Sequence, residues 1–251
     1  MRDVINVELF KMWKRKIFIG IFLLSNFSLV YSLGIYFNWS FIDINGKLDL
    51  ISFSTSMWAL LMMLGIPLVL FTFLAAGTLG GEISDGQFML EITRVRSIKS
   101  LALGKFISIV EVLVSFYILS MALSSLYYIV FVARSKNGLG ISWDIEGYHS
   151  RLLLVSICGV LFLILFISIA MVVSVNFGTF RAVLLSLSIY VLLKFISSIQ
   201  SIRIWIPGYY TLIDDNDFSL LIVTYQLFIM GFIIGTLIYV TINFLEKKDY
   251  W

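Results

Sequence analysis

Histidine and cysteine occur once each, at His149 and Cys158. One histidine cannot supply the paired-His zinc motif of membrane metalloproteases. His149 also falls outside the apolar runs, where an intramembrane protease would need it. Cys158 lies inside an apolar run, can form no intrachain disulfide, and reads as a buried structural thiol. No phosphate loop is present: Gly104-Lys105 is followed by Phe106 and lacks the upstream glycine, so ATP is not expected to bind this chain in that manner. The chain is therefore not expected to be an enzyme. What remains is the chemistry of fixed charges in an apolar sequence. Seven charges fall in residues 77–105: Glu82, Asp85, Glu91, Arg94, Arg96, Lys99 and Lys105. Two further charges, Glu111 and Lys194, lie within apolar runs, and charges so placed are functional candidates by default. Glu111 could equally pair with Lys105, and Lys194 could snorkel outward.

The elements that must position these groups follow from composition. Of 251 residues, 60% are apolar and 13% charged, and mean hydropathy is +1.01. Soluble domains are about 45–50% apolar and about 25% charged. A soluble fold could not hide this much apolar surface, so an all-α integral membrane protein is expected. A span needs about 20 apolar residues, and six spans with short loops use the whole length as one transmembrane domain, 1–251. Net charge is +3 and the isoelectric point is near 8.9. In this setting the basic balance reflects membrane topology, and no nucleic-acid partner is expected.

Residues 1–16 read as an amphipathic interfacial helix, with Ile5, Leu9, Met12 and Trp13 on one face and Val4 and Val7 interrupting the polar one. No cleavable signal peptide is expected there. Spans are expected at 17–37, 51–76, 106–133, 152–175, 182–199 and 220–245. Gly65 and Pro67 predict a kink in the second. Segment 200–218 is too apolar at its front to be a free loop and reads as short extracellular interfacial or re-entrant helices. It ends in the polar run Asp214-Asp215-Asn216-Asp217, with Pro207 and Gly208 as turn formers.

With the N-terminus inside, the basic residues divide twelve to five between the cytoplasmic and outer segments, with Lys194 in the membrane. The positive-inside rule thus places both termini in the cytoplasm. No internal repeat of the kind found in inverted-repeat transporters is evident. Segment 77–105 then becomes a cytoplasmic connector: glycines end the second span, Asp85 and Gly86 turn the chain, and a short helix bearing Phe88, Leu90 and Ile92 runs into Arg94, Arg96 and Lys99. Such an element could dock a soluble partner or bind anionic headgroups.

The connector resembles the signature of ABC-2 type permeases, the membrane subunits of one class of ATP-binding-cassette exporters. Glu82, Gly86, Leu90, Arg94, Arg96 and Leu103-Gly104-Lys105 match its order of Glu, Gly turn, apolar helix, basic stretch and closing Leu-Gly-Lys. Glu8-Leu9-Phe10-Lys11 through Lys16 resembles the family's N-terminal interfacial helix, and Phe244-Leu245-Glu246-Lys247-Lys248-Asp249 its charged tail. Gly86-Gln87 replaces the usual Gly-Thr, and Arg94-Val95-Arg96-Ser97 stands where Pro-Val-Ser-Arg is usual.

The resemblance implies the ABC-2 exporter fold in a bacterial plasma membrane. It implies two copies of this chain with two separate cassette ATPase subunits, which carry the ATP and Mg; this chain itself binds no cofactor or metal. Glu82, Asp85, Gly86, Gln87, Glu91, Arg94 and Arg96 become the expected coupling residues. The expected path lies between the two copies, with Trp58, Met62, Met63, Phe71, Tyr190, Lys194 and Phe195 as lining candidates. Met and aromatic groups adapt to many shapes, which suits export of amphipathic or toxic peptides or hydrophobic drugs. An ATP-independent secondary transporter or channel, and a membrane immunity protein, are the alternatives.

Overall fold

The computed structural model describes residues 1–40, 42, 46–95, 97–140, 147–212 and 218–248. Among them the regular secondary structure is helical, apart from one isolated bridge that pairs Leu48 with Gly138. Arg96, the acids Asp43, Asp144, Glu146, Asp214, Asp215 and Asp217, and the tail 249–251 lie outside the described residues.

Helix α1 (Arg2–Lys14) precedes α2 (Ile17–Ser25) and α3 (Phe27–Tyr36), which together form one apolar rod interrupted at Asn26. The Asn26 amide donates to the Phe22 carbonyl at 2.7 Å, and Tyr127 donates its hydroxyl proton to the Asn26 side chain. Helices α4 (Leu50–Met63) and α5 (Ile66–Ala76) are parted at Leu64-Gly65, where Gly65 adopts a left-handed φ of 70°. The break therefore precedes Pro67, which falls in the first turn of α5, where its missing N–H costs nothing. A π-helical turn (Gly77–Gly81), α6 (Glu82–Ser84) and α7 (Gln87–Ile92) form the connector to α8 (Ile98–Tyr127). Then follow α9 (Gly147–Ser197), α10 (Tyr209–Leu212) and α11 (Leu220–Lys247).

Among the described residues, five helical stretches are long and apolar enough to cross a membrane: Ile17–Tyr36, Ile66–Ser84, Ile98–Val132, Tyr148–Ser197 and Leu220–Lys247. The fourth cannot be straight. Its 51 helical residues would run about 75 Å, against a hydrocarbon core of about 30 Å. Gly178, with φ 72° and ψ 177°, folds it into arms 147–177 and 179–197. A side chain at that φ/ψ would be strained by about 1–3 kcal/mol.

Interior polarity is handled locally. Ser25, Ser32, Ser54, Thr72, Ser168, Ser186 and Thr241 each bond the carbonyl four residues earlier, at 2.7–2.9 Å. In an apolar medium a hydroxyl needs such a partner. A second small core at one end joins Ile35, Leu50, Phe53, Met57, Tyr128 and Val132. There the Tyr128 hydroxyl donates to the Leu48 and Gly140 carbonyls. Asp49 caps α4 by accepting from the Ser52 amide at 2.7 Å and also meets His149 at 3.0 Å. Burial opposes the charge on Asp49, but the Ser52 and His149 contacts outweigh it and hold the carboxyl below its usual range.

Candidate functional site: a buried ion-pair cluster and a cavity at the far end

At the start of α8, Gly104 and Lys105 face α1. A Cβ on Gly104 would lie 2.6 Å from Val4, so only glycine lets the two helices approach this closely. The contact face of α1 is therefore Val4, Glu8 and Met12, all buried. Val7, Phe10 and Trp13 project outward instead. The expected apolar face is thus displaced: Val4, read as an interruption, is a packing residue, and Trp13 points away. The reason is Glu8, whose burial was not anticipated and which is drawn inward by a cation.

That cation is Lys105, whose side chain is 0% exposed. Its Nζ lies 2.8 Å from Glu8 Oε1 and 2.7 Å from Glu91 Oε2, and it also pairs with Glu82. Lys11 closes the cluster, with Nζ 2.9 Å from Glu8 and 2.9 Å from Glu82, and a further pair to Glu91. Arg15 stands at the rim, 3.9 Å from Glu82. The three carboxylates come within 4.8 Å of one another, an arrangement that would suit a cation, and two ammonium groups serve that role. Burial weakens the charge on Lys11, but Glu91, Glu8 and Glu82 overcome it and raise its pKa above the ordinary lysine value. Burial likewise opposes ionisation of Glu91, and Lys105 and Lys11 more than reverse it, holding its pKa low. The cluster stitches together α1, α6, α7 and α8. Lys105 does not reach Glu111, which is exposed on α8.

The connector consequently has two faces. Glu82 and Glu91 point inward. Asp85, Gly86, Gln87 and Arg94 are exposed, as is Leu90 at 63%. The turn is made at Gly86, with φ 71°. Phe88 is fully buried and anchors α7 from beneath.

At the other end of α9, nineteen residues or about 28 Å along the first arm from the Gly178 fold, a cavity of about 440 Å³ opens between α4, both arms of α9 and α10. Trp58, Met62, Met63, Tyr190 and Lys194 all line it. Five of the seven lining candidates thus converge within one chain. Phe71 does not: it is packed in the core against Phe116. Phe195 is 78% exposed and turned away. Ser156, Gly159 and Thr211 also line the wall, and none of these stood out in the sequence. Tyr117 and Ser156 share a hydrogen bond of 2.7 Å behind it.

Segment 204–208, which leads into α10, is held by a residue the sequence did not flag. Gln226, buried on α11, donates to the Ile204 carbonyl at 2.7 Å and the Ile206 carbonyl at 3.0 Å, and accepts from the Gly208 amide at 3.0 Å. A lone glutamine in an apolar run is the one sequence signal that could have pointed there.

Compared with known proteins, the chain matches no family model and none of the curated proteins.

Proposed function

We propose that this chain is the membrane-spanning subunit of an ATP-driven exporter, crossing a bacterial plasma membrane six times with both termini in the cytoplasm. Two copies would pair with two cassette ATPase subunits, which hold the Mg and ATP. The observation that carries the reading is the ion-pair cluster. It locks an exposed elbow, Asp85 to Arg94, onto the base of α8 and onto α1. A partner pressing on Leu90, Gln87 and Arg94 would move those helices as one body, because buried ion pairs are costly to separate. Glu82 and Glu91 then act as struts for the elbow, and Asp85, Gly86, Gln87 and Arg94 as its contact face. Two states of differing ligand affinity complete the scheme. Cation and anion pairs held this tightly also suit α1 as a lever along the membrane surface.

The test is co-expression with a candidate cassette ATPase from the same genome, followed by reconstitution. The complex is expected to co-purify and to move substrate only with ATP. Leu90→Asp and Arg94→Glu are expected to break co-purification while leaving the melting temperature in detergent unchanged. Transport by the chain alone would instead establish an ATP-independent transporter. Full co-purification of both variants would overturn the assignment of the elbow.

A further inference from the structure

The cavity is lined mainly by apolar and aromatic side chains, yet its unmet polar groups share one character. Trp58 is 2% exposed, and its indole Nε1–H has no hydrogen-bond partner among the described residues. An indole N–H can only donate. It faces Gly159, where even a Cβ would come within 3.2 Å of it. The Thr211 hydroxyl, also on the wall, is buried and equally unpartnered among the described residues. At the rim stands the Lys194 ammonium, with no carboxylate among the described residues within ion-pair distance. The wall therefore holds a buried N–H donor and a buried hydroxyl, both unmatched, and an exposed cation, beside an apolar surface of Trp58, Met62, Val155 and Tyr190. A buried donor left unmatched costs free energy that an acceptor would recover.

We propose that this cavity binds an amphipathic anion, with its carboxylate or phosphate head between Lys194, Trp58 Nε1 and Thr211, and its apolar body over Met62, Val155 and Tyr190. The volume lies within the range of about 300–1,000 Å³ usual for small-molecule sites. The site belongs to one chain and needs no second copy. A cationic amphiphile of equal length would meet Lys194 with like charge and leave both donors unmatched. Taken as the substrate class, this rests on the exporter reading; taken as a binding site, it does not.

The experiment is equilibrium binding of radiolabelled dodecanoate to the full chain purified in a neutral maltoside detergent, without any ATPase. Dodecyltrimethylammonium and phosphatidylglycerol serve as competitors. Saturable binding is expected, unaffected by the cation. Lys194→Gln and Trp58→Phe, the latter keeping an aromatic ring but losing the pyrrole ring and its N–H, should each weaken it by about tenfold or more, as expected for bonds to a charged head. Lys194→Glu should reverse the preference toward the cation. Melting temperatures of these variants, which change no core volume beyond one ring, report whether each is folded. Displacement by phosphatidylglycerol would identify a lipid headgroup as the natural source of the anion; its failure would point to a free amphiphile. Equal competition by the cation, or wild-type binding by folded Lys194→Gln, would overturn the proposal as mere detergent-like partitioning. Binding without ATP-driven transport would sink the exporter reading and leave the site standing. Transport without saturable dodecanoate binding would do the reverse.

Discussion

Lys105 is the residue on which the connector depends. It is fully buried among Glu8, Glu82 and Glu91. Removing one partner of a buried pair strands the other charge and typically costs about 3–5 kcal/mol. Lys105→Met is therefore expected to lower unfolding free energy by about that amount, measured by denaturant titration in detergent. A Glu8→Gln, Lys105→Met double variant is expected to recover part of the loss, because the charge imbalance shrinks.

The acid response belongs to the residue scale too. Asp49 and Glu91 have pKa values held below the ordinary carboxylate value, which is about 4. Their stabilisation is fully present above that value and is lost as pH falls through the depressed folded one. Lys11 is raised, so its contribution is full below the ordinary lysine value of about 10.4 and is lost only as pH rises through the elevated folded one. Thermal midpoints across pH 2–6, roughly the window the carboxylate shifts define, check the acid side: Asp49→Asn is expected to melt lower near neutrality and to show a shallower acid limb than the wild type.

Among elements, α10 and the segment before it depend on one side chain of α11. The three hydrogen bonds of Gln226 tie down segment 204–208, which has little regular structure beyond the single 3-10 turn Arg203–Trp205. Gln226→Leu leaves two carbonyls and an amide without those partners, at about 1–3 kcal/mol for each buried group left unmet. Faster hydrogen exchange confined to 200–212 is the expected outcome. Unchanged exchange there would mean the segment is held by packing alone. Element α1 shows how far patterning reaches. Its amphipathic character was legible in the sequence, but its contact face was not. Helical spacing ranks residues by hydropathy, and hydropathy assigns Glu8 outward; only Lys105, 97 residues away, reverses that. The break in the α4–α5 rod was legible to within a turn, since Gly65 and Pro67 are local signals.

Across the whole molecule, one end collects α1, the connector, the Gly178 fold and the end of α11. Gly80 packs on Ser174, Lys248 bonds the Val175 carbonyl, and Lys99 approaches Glu246 at 3.9 Å. The cavity and the Leu48–Gly138 bridge belong to the opposite part of the chain's helices. The six-crossing arrangement proposed above predicts that a thiol probe will label Asp85→Cys and Lys136→Cys from opposite sides of sealed vesicles. The native thiol, Cys158, is buried and should stay silent. Labelling of both from one side would exclude the arrangement.

Apolar composition and run length alone determined that the chain is all-helical with several membrane-length helices, because a polypeptide in lipid must satisfy its backbone bonds internally. Local glycines and charges also marked the connector, and Met and aromatic character marked four of the side chains that converge on the cavity, with charge marking the fifth, Lys194. Pairing and facing were decided only by the tertiary structure. Glu82 and Glu91 read as coupling residues with no indication of which way they face; Lys11 and Lys105 turn them inward. Trp58 read as one apolar group among many, yet Gly159, a hundred residues on, leaves room for its unmatched N–H. Such outcomes depend on contacts between distant segments, and a one-dimensional pattern carries no information about which distant charge or donor a side chain will meet.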